Sequence, residues 1–237
     1  MSEINNFYNN AIIPSNEIYN NFNEFIFSND IRILGKLLQR YKFYSLTSHL
    51  PGDIVEVGVF KGSGMATWLK FLQLYAPHTN KKVIGFDFFS SDDTINYTSN
   101  IKCGNELNNV INRVKSDDLS LETVKKSINS SGINPNHLIL VKGDVTITTK
   151  DFVKENLGFR ISILYLDLDL AEPTYHSLLN LWDRVVPGGY IVFDEFEHHK
   201  FNESTGVERF LKEKNIEYSV KTTDFVGPTA YMIKKTL

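Results

Sequence analysis

Short apolar, β-branched runs alternate with helical stretches from Pro51 onward, which predicts a doubly wound α/β fold. The expected form is a mostly parallel seven-stranded sheet with helices on both faces and an antiparallel strand at one edge. Two further observations point the same way. A glycine-rich turn at 55–64 joins a strand to a helix, and several acidic residues stand just after strands, where open α/β sheets hold their ligands.

A chain of 237 residues has room for one full domain of this kind, and 42% hydrophobic with 22% charged residues is ordinary globular usage, so it is expected to fold alone. A net charge of -3 without a basic stripe argues against nucleic acid as a partner. Cys103, the single cysteine, excludes an internal disulfide and any CxxC metal or redox framework. Residues 1–27 are rich in Asn and lack the basic and apolar regions of a signal peptide, and no apolar run is long enough to span a membrane. A cytoplasmic protein without membrane association is the expectation.

Residues 1–28 read as an irregular or partly helical arm, and its scattered aromatics suggest a homodimer or higher oligomer. In 29–48, Leu34, Leu37, Leu38, Tyr41 and Tyr44 recur at helical spacing. That helix would pack on the domain or on a second subunit, or place Tyr41 and Tyr44 as an aromatic lid over a ligand. Arm and helix together make an amino-terminal segment, 1–50, before a domain at 51–237. Strands are expected at 54–57, 83–86, 138–141, 161–166, 190–193, about 217–221 and 230–234. Helices are expected near 64–75, 119–129, 150–156, 173–185 and 207–214. The last two strands, joined through Gly227-Pro228, form a hairpin at one edge. The stretch 90–118 exceeds a usual strand-to-helix loop and is a candidate lid insertion.

The turn reads Val55-Glu56-Val57-Gly58-Val59-Phe60-Lys61-Gly62-Ser63-Gly64. Its glycines let backbone approach a ligand, and the helix start offers free N–H groups to an anion. In a dinucleotide site the second glycine of G-x-G-x-x-G clears space for the pyrophosphate; Phe60 stands there, which disfavours NAD. A G-x-x-x-x-G-K-[ST] phosphate loop is also missing.

The turn resembles motif I of class I methyltransferases. That resemblance implies that Glu56 and the 58–64 backbone, through Gly58, Val59, Gly62 and Ser63, hold the methionine end of S-adenosylmethionine. It further implies that Asp87, ending Gly85-Phe86-Asp87-Phe88, accepts hydrogen bonds from both ribose hydroxyls. Asp144 and Val145, in Lys142-Gly143-Asp144-Val145, would contact the adenine. The plain alternative is that each strand-terminal Asp caps a helix.

Two later strands deliver Tyr165-Leu166-Asp167-Leu168-Asp169 and Phe193-Asp194-Glu195-Phe196-Glu197. If these strands are neighbours, their carboxylates converge without an obvious basic partner, and a hard divalent cation would relieve the repulsion. The stretch is similar to the macrocin (TylF) family of sugar O-methyltransferases. The similarity rests on Leu166-Asp167-Leu168-Asp169, Pro187-Gly188-Gly189-Tyr190-Ile191-Val192-Phe193-Asp194-Glu195, Gly206-Val207-Glu208-Arg209-Phe210 and Pro51-Gly52-Asp53-Ile54-Val55-Glu56-Val57-Gly58, spanning about 40–215. Glu195 replaces the second Asp of the family's pair, and Ala171-Glu172 replaces its Tyr-Glu. The similarity implies Mg²⁺ held by Asp167, Asp194 and Glu195, with Asp167, His198 or His199 receiving the hydroxyl proton and Asp167 preferred.

Other readings remain beside these. Asp167 and Asp169 could cap the next helix with no metal present, Glu197-His198-His199 reads as a solvated loop, and Asp92-Asp93 and Asp117-Asp118 as turn or cap acids. Base or amide N-methylation would call for an Asn/Asp-Pro-Pro-Tyr loop where Asp167-Leu168-Asp169 stands. The function that the resemblance implies is S-adenosylmethionine-dependent O-methylation of a small molecule: a sugar, a nucleotide sugar or a glycosylated metabolite. A non-catalytic ligand-binding or assembly protein that keeps the fold is the alternative.

Overall fold

The computed structural model describes residues 16–101 and 103–235. They fall into two compact units, one ending at Gly35 and one from Lys36 onward. The first contains helix α1 (Asn16–Phe27). Helix α2 (Arg32–Thr47) carries the chain into the second unit, so residues 36–50, expected with the arm, group with the sheet instead. No helix among the described residues is long and apolar enough to cross a membrane.

The second unit alternates β1 (Asp53–Val57), α3 (Ser63–Tyr75), β2 (Val83–Asp87), α4 (Ser91–Thr98), α5 (Gly104–Ile111), α6 (Leu121–Ser130) and β3 (Leu138–Lys142). It continues with α7 (Val145–Glu155), β4 (Ile161–Leu166), α8 (Ala171–Leu181), β5 (Val185–Phe193), α9 (Glu203–Glu213), β6 (Lys221–Thr222) and β7 (Ala230–Ile233). The sheet runs β3-β2-β1-β4-β5-β7-β6. The first five strands are parallel; β7 is antiparallel to both β5 and β6, so the expected hairpin closes the edge with two antiparallel strands.

Alternation along the central strands builds two cores, because successive side chains point to opposite faces. Val55, Val57, Leu164, Leu166, Ile191 and Phe193 pack on the face that also buries Tyr175, Leu178 and Phe210. Ile54, Ile163, Tyr165 and Val192 pack on the other, with Phe43, Met65 and Trp68. Glu56 falls between Val55 and Val57, so the same alternation sends a carboxylate toward the second, apolar face.

Several elements differ from expectation. Strand β5 starts five residues early, at Val185, and β6 is a two-residue strand at Lys221 rather than one at 217–221. Helix α7 starts at Val145 because Asp144 caps it, its Oδ1 accepting from Thr146 N at 2.9 Å. Helix α9 starts at Glu203 rather than 207, and 90–118 folds into α4, α5 and a 3₁₀ turn at Ser116–Leu119. Ser90 caps α4 and Asp92 and Asp93 occupy its first turn, as their cap reading requires. On α2 the buried side is Arg40, Phe43, Tyr44 and Thr47, whereas Leu37, Leu38 and Tyr41 are exposed. Of the residues at apolar spacing, Tyr44 is buried and Leu34 half-buried, while Arg40, Phe43 and Thr47 complete the side that faces the domain.

Candidate functional site

Strand register decides which residues meet. Parallel pairing places Glu56 beside Gly85 and Tyr165, and Leu166 beside Val57 and Phe193. The ladder extends one step past the strands: Gly58 N donates to Phe86 O, Asp167 N to Val57 O and Asp194 N to Leu166 O, each at 2.9 Å. Gly58, Asp87, Asp167 and Asp194 thus share one sheet edge, at the point where strand order reverses. A cavity of about 390 Å³ opens there, within the range of small-molecule pockets.

One half of the cavity is the glycine turn. Gly58 has φ 94°, and a β-carbon on it would stand 1.9 Å from the Asp167 carbonyl oxygen. Only glycine permits this approach of two strand ends. Asp87 holds the turn from the other side, accepting from Val59 N at 2.7 Å and Phe60 N at 3.0 Å through Oδ2, and from Phe89 N at 2.9 Å through Oδ1. Gly58, Val59, Ser63, Asp87, Asp144 and Val145 all line the cavity. Gly62 does not; it ends the turn in the left-handed conformation and faces Val124 and Ile128. No side chain caps α3 at Gly62, which leaves its first N–H groups for a ligand.

Glu56 lies beneath this turn, 2% exposed. Arg40 Nη2 approaches its Oε1 at 3.3 Å, and Trp68 Nε1 donates to its Oε2 at 2.6 Å. Burial pushes the Glu56 carboxyl up, and Arg40 and Trp68 pull it back. The Arg40 guanidinium also sits 4.4 Å over the Tyr165 ring. Gly64 makes room, since a β-carbon there would lie 2.1 Å from Glu56 Oε1.

The other half is acidic. Asp194 is fully buried; Tyr165 Oη donates to its Oδ1 at 2.5 Å, and Lys36 Nζ lies 2.7 Å from its Oδ2 as an ion-pair contact without hydrogen-bond alignment. Lys36 also reaches Asp167 Oδ2 at 3.5 Å. Burial, then the Asp194 charge, raises Asp167 to about 7, while Lys36 and Arg40 oppose the rise. Burial followed by Asp194 and Asp167 raises Glu195 to about 8. Asp169, at φ 63°, and Glu203 are pushed up chiefly by burial, and Glu203 Oε2 accepts from Glu195 N at 2.8 Å.

The expectation that these acids lack a basic partner is therefore corrected: Lys36 is that partner. It precedes Arg40 by one helical turn on α2, and the spacing 36, 40, 43, 44, 47 was the signal that hydrophobicity alone passed over. Glu203 was missed as well. Asp167, Asp169, Glu195 and Lys36 line the cavity, whereas Asp194 lies behind them.

A Mg²⁺ site can be weighed on this donor set. Hard carboxylate oxygens, with Glu195 Oε2 buried and without a hydrogen-bond partner, suit such an ion. Among the described residues, no three His, Cys, Asp or Glu side chains already stand together at metal-binding spacing. The chemistry fits; the present cation is Lys36.

Helices α4 and α5 supply a further wall through Thr94, Tyr97, Leu107, Val110 and Ile111. Burial pushes Tyr97 up to about 12, with Asp144 and Glu172 adding to the shift. Tyr41 and Tyr44 instead pack on Phe71 and Tyr75, with ring centroids 5.5–5.9 Å apart, so their packing role holds rather than the lid. His198 and His199 are exposed and outside the cavity wall, as a solvated loop requires.

A family model described as Macrocin-O-methyltransferase (TylF) matches residues 36–232. The 8-demethyl-8-(2,3-dimethoxy-alpha-L-rhamnosyl)-tetracenomycin-C 4'-O-methyltransferase of Streptomyces olivaceus is 26% identical over 151 residues, covering 64% of this chain and 55% of that protein. The chain thus spans about half the length of that curated relative. Two structures of CalS11 align with TM-scores of 0.68 and 0.65 at 22% and 23% identity, covering 98% of this chain and 90% and 91% of theirs. One is described as a calicheamicin methyltransferase and the other as a TDP-rhamnose 3'-O-methyltransferase. The O-methyltransferase NovP aligns with a TM-score of 0.69 at 19% identity, covering 84% of this chain and 79% of that one. At these identities the structural likeness concerns the fold.

Proposed function

The chain belongs to the macrocin O-methyltransferase (TylF) family, and on that premise we propose that it methylates a hydroxyl of a sugar or sugar-containing metabolite using S-adenosylmethionine. The observation that carries this reading is the joining of a glycine turn and a buried acid group in one cavity, through the contact of Gly58 with Asp167. S-adenosylmethionine supplies an electrophilic methyl group, and a divalent cation at the acids would supply Lewis acidity toward the acceptor oxygen.

The chain's own residues do the rest. The free N–H groups of α3 and the Val59 backbone hold the amino-acid end, above Glu56. Asp87 keeps one lone pair on Oδ1 beyond those given to Val59, Phe60 and Phe89, which serves a ribose hydroxyl, and Asp144 and Val145 flank the base. Asp167 receives the acceptor proton, because its burial beside Asp194 makes it more basic than an ordinary carboxylate. Asp167, Asp194 and Glu195 are the residues that would hold Mg²⁺, with Glu203 fixing the Glu195 backbone. The apolar wall of α4 and α5 excludes water.

Turnover on TDP-rhamnose with and without EDTA, beside calorimetry with S-adenosylhomocysteine and with NAD, tests this. EDTA should abolish turnover, Mg²⁺ should restore it, and S-adenosylhomocysteine should bind in either condition. Tighter binding of NAD would overturn the cofactor reading; full turnover in EDTA would overturn the metal role alone.

Self-association belongs to the same reading. Leu37, Leu38 and Tyr41 on α2, and Tyr19, Phe22 and Phe27 on α1, are exposed and support a homodimer or higher. Light scattering at micromolar concentration should show more than one chain per particle, and a monomer there would contradict it.

A further inference from the structure

Lys36 is a cation already seated on the oxygens proposed for a metal. Its ammonium lies 2.7 Å from Asp194 Oδ2 and 3.5 Å from Asp167 Oδ2. Gly227 shapes its path: a β-carbon there would stand 3.2 Å from Lys36 Cε and 3.6 Å from Asp194 Oδ2, so glycine leaves space for the stem beside the acid. The two partners differ in freedom. Asp194 has no exposed side-chain surface and is held by Tyr165, whereas the Lys36 side chain keeps 36% of its surface exposed and lines the cavity.

A four-carbon stem with one end in the cavity can withdraw its ammonium without disturbing the core. Arg40, one turn further on α2, cannot take over, because its side chain is 8% exposed and is engaged by Glu56 and the Tyr165 ring. A divalent ion sharing Asp167 and Asp194 with an ammonium at these distances would be repelled by it, since like charges within ~4–6 Å disfavour one another. Without any cation, the two carboxylates would repel each other instead.

We propose that Lys36 is a built-in occupant of the cation position, which holds Asp167 and Asp194 together in the metal-free chain and competes with a divalent ion for them. The inference rests on the reading that these acids bind such an ion. Lys36 is here a positioning residue, and its withdrawal is the step that opens the acids.

Mn²⁺ serves as the probe, with free ion read by electron paramagnetic resonance in titrations of the full chain and of Lys36→Met, Lys36→Gln and Lys36→Arg. Circular dichroism melts show which variants are folded, and the Gln variant carries the comparison should the Met variant fail. Removing the charge should tighten Mn²⁺ binding by about tenfold or more, the lower end of what a like charge at this range does to an ionic equilibrium. Lys36→Arg should bind no more tightly than the parent chain. Unchanged or weaker binding by the neutral variants, with the parent chain binding Mn²⁺, would overturn the role of Lys36. If neither the parent nor the neutral variants bind Mn²⁺ at millimolar concentration, the cation reading of the acids itself fails.

Discussion

Asp167→Asn should lower kcat by about 10²–10⁴-fold, the usual contribution of a positioned proton acceptor, and leave S-adenosylhomocysteine affinity nearly unchanged. The substitution is close to isosteric, and the backbone that Gly58 packs against is kept. What is lost is basicity, at a group that burial and Asp194 raise to about 7. High Mg²⁺ should not restore the rate, because the amide cannot receive the proton even where the ion is bound. Asp194→Asn should act more like chelation, since Asp194 lies behind the cavity wall and touches Lys36 and Tyr165. Stopped-flow or discontinuous assays of kcat at saturating acceptor decide it. A loss of tenfold or less for Asp167→Asn would remove Asp167 as the proton acceptor.

Glu56→Ala should destabilise the fold by about 3–5 kcal/mol, the range for breaking one side of a buried ion pair. The Arg40 side chain is 8% exposed and the Glu56 side chain 2%, so both charges lie largely out of water at the floor of the cavity that they help to line. Trp68 Nε1 would lose its acceptor in the same step. Glu56→Gln keeps an acceptor for Trp68 and should cost less. Replacing Arg40 and Glu56 together by Met should recover much of the loss, since the penalty lies in the unpaired charge rather than in the missing pair. Urea denaturation of the four proteins gives the comparison; a loss below about 1 kcal/mol for Glu56→Ala would mean that Arg40 finds water or another acid.

Strand pattern and strand ends were readable in the chain. Ile161–Leu166 is a strand with the bounds its apolar run implies, and every residue of it is buried. Gly58, Asp87, Asp167 and Asp194 were readable as strand-end residues because parallel strands align their carboxyl ends whatever the intervening helices do. The domain-facing side of helix α2 was missed for a physical reason. Its inward face carries Lys36 and Arg40, whose burial depends on acids more than a hundred residues away in one case and sixteen in the other. Hydrophobic periodicity weighs a side chain by its transfer to an apolar phase, so it sends a lysine outward and exposed Leu37 and Leu38 inward. Helix α9 was shortened likewise: Glu203, at its first position, reads as polar and is fully buried.

The approach of Gly58 to the Asp167 carbonyl has a bearing on how such a protein diversifies. The two halves of the cavity are joined through backbone, at a place where even one added carbon has no room. No repacking of neighbours relieves a clash with main chain, so position 58 is closed to drift. Leu107 and Val110 of α5 line the cavity and are partly exposed. Side-chain change at these two positions is thus sterically open, whereas the seam between the two halves of the cavity is not.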